Sequence, residues 1–525
     1  MTSCMNTDGY GKDDIISYIG PTLDRHKGCD IIDINPGAGL WSQKLHEYLQ
    51  PRSHLLMEPD ADLYKPFLEP LLGRPGTTLI PESGLIWRDL MSFLTPENLP
   101  HQVVSDPSHL SQRNDTLLVT ANLSFHPRKR MRNFSSLAAL ILRQFIDAIR
   151  SGSLFQRYGL VRMLVWVPPD DKTALLPKCM QKRRRAAVET ELYCEWVREV
   201  CGRPGDDSSW YIREEALDKS SNLAAYQRMQ AAGLEMPADR EPPALKATRS
   251  ASMAGQIKAP GSVQPSFKKP YHEMLGKLAD KSLVKGSSNY KAMQELQWRS
   301  NWEDRKYQWM HSLIEEYGAI TALYKSGNAS PKEIEASEAR WNENLDAKAQ
   351  GFVEEFITYK DNLHCYRQDP PLLHWDRREY EPMVVQPQEF FPSVECSLLD
   401  IQPKEVHPLM RESGANSNRA GDDFGLIMSA AMAQGTAPME HVLNMVTPGA
   451  ADYILPRWTS ARDPDRGGVV VKSRYTKLTP RLLNARQWEE LLELWAQWPF
   501  KPQFHELVGR ILGHSLHDET EERDA

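Results

Sequence analysis

Residues 29–43, CDIIDINPGAGLWSQ, decide the fold. Ile31, Ile32 and Ile34 form a short β-branched apolar run, the pattern of a buried strand. The strand gives way to a turn in which Gly37 and Gly39 allow a tight reversal and a close backbone approach to a ligand. Leu40, Leu45, Tyr48 and Leu49 then recur near helical spacing over 40–50. A second strand, SHLLME at 53–58, ends on Glu58, 21 residues beyond Gly37. A carboxylate at the tip of the second strand is where a Rossmann-like site binds two ribose hydroxyls.

The same stretch bears on the ligand. The dinucleotide fingerprint needs a third glycine, and Ser42 stands in its place. Asp33, closing the first strand, suits a ligand with a cationic amine. S-adenosyl-L-methionine therefore fits better than a dinucleotide. The competing reading is a turn that only joins strand to helix.

Outward from this unit the alternation continues. Residues 13–20 read as a short amphipathic helix, 61–73 as a helix, 78–80 as a strand and 84–94 as a helix. TLLVTA (116–121) is a strand, 134–151 a long helix, and LVRMLVWVP (160–168) a long apolar strand. Such alternation predicts a parallel sheet with helices on both faces. The pattern stops near 200. Residues 203–369 read as an insertion, flexible over about 240–288, where Gly, Pro, Ser, Lys and Ala dominate, and helical over about 290–365. In that helical part Trp298, Trp302 and Trp309 lie on related faces, a stripe that reads as core. Strand character returns at 380–402. The expected domains are 13–202 with 370–405 as a Rossmann-like domain, 406–515 as a helical C-terminal domain, and 516–525 as an acidic tail.

Composition narrows the classes. The chain has 525 residues and a net charge of −7, and its mean hydropathy is −0.54. No apolar run reaches the roughly 18–20 residues of a membrane helix, so no membrane partner is expected. Seven scattered cysteines, none in a CxxC pair, exclude a disulfide framework and a cysteine-type metal site. No apolar signal core follows Met1, and Asp8, Asp13 and Asp14 run against an Arg-rich presequence. The charge is uneven. Residues 1–125 hold 9 Lys and Arg against 16 Asp and Glu, whereas 126–201 hold 15 against 7. A basic block in an acidic chain points to a polyanionic partner.

Two parts of that block carry candidates. The strand TLLVTA runs into NLSF (122–125) and then HPRKRMR. Asn122 and the Ser124 carbonyl could each accept a hydrogen bond from an exocyclic adenine amine, and Phe125 could stack on the base. Arg128, Lys129, Arg130 and Arg132 follow at once, and Lys182, Arg183, Arg184 and Arg185 form a second cluster with Lys178. Clustered cations can neutralise phosphates without reading sequence.

These motifs resemble the ribosomal RNA adenine dimethylase family, and most closely its fungal-type descendants, the mitochondrial transcription factor B proteins. DINPGAGLWS is similar to the family's first cofactor motif, LLMEPD to its ribose-binding strand, and WRDLMSF, with Asp89, to the segment that contacts the cofactor's adenine. NLSF resembles the N-[IL]-P-[YF] loop. RQFIDAIRSG with RYGLVRMLVWV, EFFPSVECSLLDI, and LTPRLLNARQWEELLELWAQWPFKP resemble later segments. The resemblance covers about 13–200 and 370–510. It departs at Ser124, where the family has Pro, at Trp41, where a small or polar residue is usual, and before Asp13, where no cofactor-closing segment is recognisable.

The resemblance implies a Rossmann-like methyltransferase sheet with a long insertion and a C-terminal helical domain. It implies Asp33, Gly37, Gly39, Glu58, Asp89 and Asn122 around S-adenosyl-L-methionine, and Asn122, Ser124 and Phe125 at the methyl acceptor. It implies a mitochondrial, monomeric protein that binds promoter DNA or ribosomal RNA. Two functions remain open: an initiation factor assisting the mitochondrial RNA polymerase, or an rRNA adenine N6,N6-dimethyltransferase. A structural, ribosome-associated role is the third reading.

Overall fold

The computed structural model describes residues 2–3, 5–6, 9–105, 111–126, 135–203, 213–237, 239–279 and 284–511. Helix α1 (Gly9–Leu23) leads into β1 (Asp30–Ile34), α2 (Leu40–Leu49), β2 (Ser53–Met57), α3 (Ala61–Leu72) and β3 (Thr77–Ile80). Helix α4 (Trp87–Phe93), β4 (Arg113–Asn122), α5 (Leu137–Ser151) and β5 (Leu160–Val167) follow. Helix α6 (Arg185–Tyr193) and β6 (Cys194–Gly202) close the N-terminal part. Two further strands of the main sheet come late in the chain, β7 (Met383–Val384) and β8 (Ser397–Pro403).

The eight strands form one sheet in the order β7-β6-β8-β5-β4-β1-β2-β3. Strands β1 to β5 are mutually parallel, while β8 runs antiparallel to both β5 and β6. The all-parallel expectation is corrected at this point. Strand β8 is thus wedged in reverse between β5 and β6 in an otherwise Rossmann-like sheet. Chain order reverses between β1 and β4, so a crevice opens at their C-terminal ends, where ligands of such sheets collect.

Alternate residues of the central strands feed two cores. Ile32, Ile34, Leu117 and Val119 pack under α5 and, through Trp488 and Trp495, against the C-terminal helices. Ile31, Leu118, Leu164 and Trp166 pack under α1 and α2. Strand β6 escapes easy recognition because CEWVREVCG intersperses charges, yet Val197, Val200 and Cys201 are buried. Helix α6 ahead of it is equally hidden by its charged first turn.

The insertion has its own core. Helices α7 (Glu215–Ala231), α8 (Pro243–Met253), α9 (Pro270–Ala279), α10 (Ser288–Ser326), α11 (Pro331–Asp346) and α12 (Gln350–Tyr366) build it. Phe267, Tyr307, Met310, Trp341 and Phe356 meet there, joined by Val471 from the C-terminal region. The stretch expected to be a flexible linker thus holds two helices, with Leu245 and Phe267 buried. A few well-placed apolar anchors suffice where composition alone looks too polar. The tryptophan stripe is corrected too. Trp298, Trp302 and Trp309 are 70, 48 and 38% exposed, because the neighbouring face of α10, with Tyr307, Met310 and Ile314, faces the core.

Helices α13 (Ala420–Ala433), α14 (Met439–Val446), α15 (Ala450–Arg457) and α16 (Ala485–Gln497) form the C-terminal region. Asn484 caps α16 with a reciprocal Gln487 bond. The acidic tail lies outside the described residues. No helix among the described residues is long and apolar enough to cross a membrane.

Candidate functional site

The loop after β1 turns through three left-handed residues, Asn35, Gly37 and Gly39, with φ of 55, 57 and 67°. A Cβ on Gly39 would meet Leu68 Cδ2 at 2.4 Å, so glycine is required there for space as well as for φ. Glu58 lies just beyond β2 and holds this loop. Its Oε2 accepts from the Gly37 N–H at 2.9 Å and its Oε1 from the Asp60 N–H at 3.0 Å. The carboxylate is 3% exposed. Burial pushes its pKa up, against the pull of those two N–H groups.

Asp33 is also buried. Its Oδ2 sits 3.4 Å from His54 Nε2, and His54 Nδ1 lies 3.0 Å from His46 Nδ1. Burial holds the His46 pKa down to about 4, so that ring is neutral at pH 7. Asp33 thus faces the second strand's histidine as well as the crevice.

Trp41 decides the shape of the crevice. From the first turn of α2 its Nε1 donates to Thr120 Oγ1 at 3.0 Å. Its ring meets Trp166 edge-on with centroids 6.0 Å apart, and Trp166 meets Phe390 in the same way at 5.6 Å. The cavity that remains, lined by Asp33, Gly39, Trp41, Thr120, Asn122 and Phe390 among others, has a volume of about 30 Å³. That is room for a water or two.

At the end of β4, Asn122 sits opposite Trp166 in the sheet register. Its Oδ1 accepts from the Ser124 N–H at 3.1 Å, and its carbonyl lies 3.4 Å from Asn35 Nδ2. Ser124 is buried, with its Oγ unpaired. Phe125 is half-buried against the main core and pairs through its backbone with Ser3.

The structure therefore gathers Asp33, Gly37, Gly39, Glu58 and Asn122 at one crevice, with Ser124 and Phe125 following in the next loop. Asp89 is elsewhere in α4, beside Arg88, and does not line the cavity. Arg128, Lys129, Arg130 and Arg132 lie outside the described residues. The second basic cluster is divided. Arg183 is fully buried, bonded to Glu191 and to the carbonyls of Arg481 and Leu483. It ties α6 to the C-terminal region and is unavailable to phosphate, which corrects its reading as a nucleic-acid contact. Arg185 is engaged with Glu189 and Ser429. Lys182 is half-buried, and Arg184 is exposed.

Sequence reasoning missed Thr120, Trp166 and Phe390. An apolar strand such as LVRMLVWV does not show which of its members reaches the crevice. Only the pairing of Asn122 with Trp166 places it there. No cluster of metal-binding side chains occurs among the described residues.

Residues 12–199 match the ribosomal RNA adenine dimethylase family. Mitochondrial transcription factor 1 of Saccharomyces cerevisiae is 23% identical over 166 residues, 31% of this chain and 45% of that protein. Its Saccharomyces paradoxus counterpart is 23% identical over 170 residues, 32% and 44% of the respective chains. The matched stretch thus spans under half the length of these relatives. A dimethyladenosine transferase from Plasmodium falciparum aligns structurally over 48% of this chain and 90% of its own, at 11% identity and a TM-score of 0.25.

Proposed function

We propose that this chain is a nucleic-acid-binding initiation factor of methyltransferase fold, which assists the mitochondrial RNA polymerase at promoters and does not transfer methyl groups. The family match and the names of the yeast relatives support the role and the mitochondrial setting. One observation carries the choice against catalysis: Trp41, locked to Thr120 and packed on Trp166, fills the crevice down to about 30 Å³.

S-adenosyl-L-methionine is the cofactor the family implies, and the residues present do not fit it. A ligand of that size needs roughly 300 Å³ or more. The carboxylate that would bind its ribose is instead buried against the Gly37 N–H. The alternative, an rRNA adenine N6,N6-dimethyltransferase, draws on Gly37, Gly39, Glu58 and Asn122, which keep the family's pattern.

In the proposed role the strand end supplies position and charge. Phe125 offers a stacking face to an unpaired base, and Arg128, Lys129, Arg130 and Arg132 hold backbone phosphates. Arg184, with Lys182, extends the basic surface. The protein acts as a monomer.

The test is fluorescence anisotropy with a labelled single-stranded oligonucleotide, for the wild type and for a variant with Ala at 128, 129, 130 and 132. Weaker binding for every sequence alike is expected, with a salt slope lower by about 0.7 for each phosphate that is no longer neutralised. Equal affinity and equal slope in the two proteins would contradict the role of this loop.

A further inference from the structure

A second and much larger cavity lies away from the sheet crevice. It has a volume of about 850 Å³ and opens among α10, α12, the 464–470 segment and the start of α16. The insertion, the C-terminal region and the end of β8 all contribute walls. Its size is within the roughly 300–1,000 Å³ of ligand sites.

Its lining is strongly cationic. Lys325 and Arg466 are answered by Asp465 and Glu490, and Lys360 by Asp361. Four further cations lack a carboxylate within hydrogen-bond distance. Arg377 spends one nitrogen on the Leu372 carbonyl, and its Nε is buried with no partner. Lys404 donates only to the Glu191 carbonyl, at 2.8 Å. Arg367 donates to the Pro260 carbonyl at 2.6 Å. Arg486 is exposed on the first turn of α16 and has no hydrogen bond or ion pair among the described residues. Asp369 and Glu489 are the acidic residues left on the wall.

Arg377 sits close enough to Lys404 to lower its affinity for a proton. Burial is the main cause that depresses both pKa values; at Arg377 the pull of Glu191 opposes it and Arg183 adds to it, and at Lys404 Arg377 adds to it against Glu489. Holding like charges together in a half-buried wall costs stability unless an anion completes the site. Guanidinium groups present paired donors that match phosphate oxygens. Tyr317, Leu363 and Val470 add apolar wall suited to a base or sugar.

We propose that this cavity binds a phosphate-bearing nucleotide unit, with Arg377 and Lys404 at its inner wall and Arg367 and Arg486 at its mouth. The site is separate from the sheet crevice and does not depend on the function proposed above. The unit is either a free nucleotide or one link of a single strand, since both present the same phosphate and ring.

The test uses the full chain with two probes, ATP and a labelled dT12 strand. Affinity is read by anisotropy and calorimetry, and folding by thermal melting. Arg486→Glu changes an exposed side chain that makes no bond among the described residues, and Arg367→Gln, added to it, keeps a donor for the Pro260 carbonyl, so melting should be little altered. Affinity for the cognate probe should fall about tenfold or more, the scale of one charge-assisted bond. Arg486→Lys alone should retain most of it. ATP that binds and competes with dT12 identifies a free nucleotide. dT12 binding that ATP does not displace, and that the double variant abolishes, identifies a strand. Failure of both probes to bind, or wild-type affinity for both in the double variant, overturns the site. The second result would leave the loop at 128–132 as the strand's holder, so the two proposals fail separately.

Discussion

Glu58 shows how one residue can keep its place in a motif and change its work. Position and chemistry suit a ribose contact, as its spacing from Gly37 suggests. In the fold both carboxylate oxygens accept from backbone N–H groups of its own site. Its primary task here is to fix the loop. Glu58→Ala would orphan the N–H groups of Gly37 and Asp60. The expected loss is about 1.5–3 kcal/mol of stability, the worth of hydrogen bonds to a charged group. Urea denaturation of the two proteins measures it, and coincident unfolding curves would show that the clamp contributes nothing. Arg183 makes the same point from the other side. In sequence it is one of four consecutive cations. In the structure it is the one that turns inward, because Glu191 and two carbonyls wait there. A charge run announces a surface, and it does not reveal which member is buried.

Among the elements, β8 is the one that completes the sheet. It lies nearly 200 residues beyond β6 in sequence and yet separates β6 from β5. Its side chain Asp400 meets Arg162 of β5 in a two-pronged pair, 2.7 Å at each contact, with both groups fully buried. The Thr22 carbonyl accepts a third bond from Arg162, and Trp196 of β6 donates to Asp400. The pair thus fixes three strands and α1. Asp400→Ala would leave the Arg162 charge buried and unanswered, at a cost of about 3–5 kcal/mol. A midpoint shift in chemical denaturation would report it. A variant as stable as the wild type would mean that the apolar register alone holds β8. The strands β1, β2, β4 and β5 are legible from their apolar runs. Strand β6 is not, since Glu195, Arg198 and Glu199 break up its apolar run, although Glu199 is itself buried against Lys172. The helices α8 and α9 are hidden for a different reason. Their own composition is poor, and their stability comes from packing of α8 on α7 and of α9 on α10 that no local pattern records.

At the scale of the whole molecule, the sheet and its crevice are readable because strand, glycine turn, helix and acid fall in a fixed order. The state of the crevice is only half readable. Trp41 stands out as a large residue in a small place, but its partners Thr120, Trp166 and Phe390 come from three distant segments. Their convergence turns a departure from a motif into a filled pocket. The insertion is readable as helical and unreadable as a wall. Its helices meet the C-terminal region around the cationic cavity, and that meeting depends on packing between parts far apart in the chain. A molecule built this way keeps a Rossmann-like sheet and fills the crevice at its switch point with aromatic rings. Isothermal calorimetry of the wild-type protein with S-adenosyl-L-methionine and S-adenosylhomocysteine tests this most directly. No saturable heat is expected for either compound. A one-to-one isotherm with a Kd near or below the micromolar range, about −8 kcal/mol, would contradict the closed crevice and restore the enzyme.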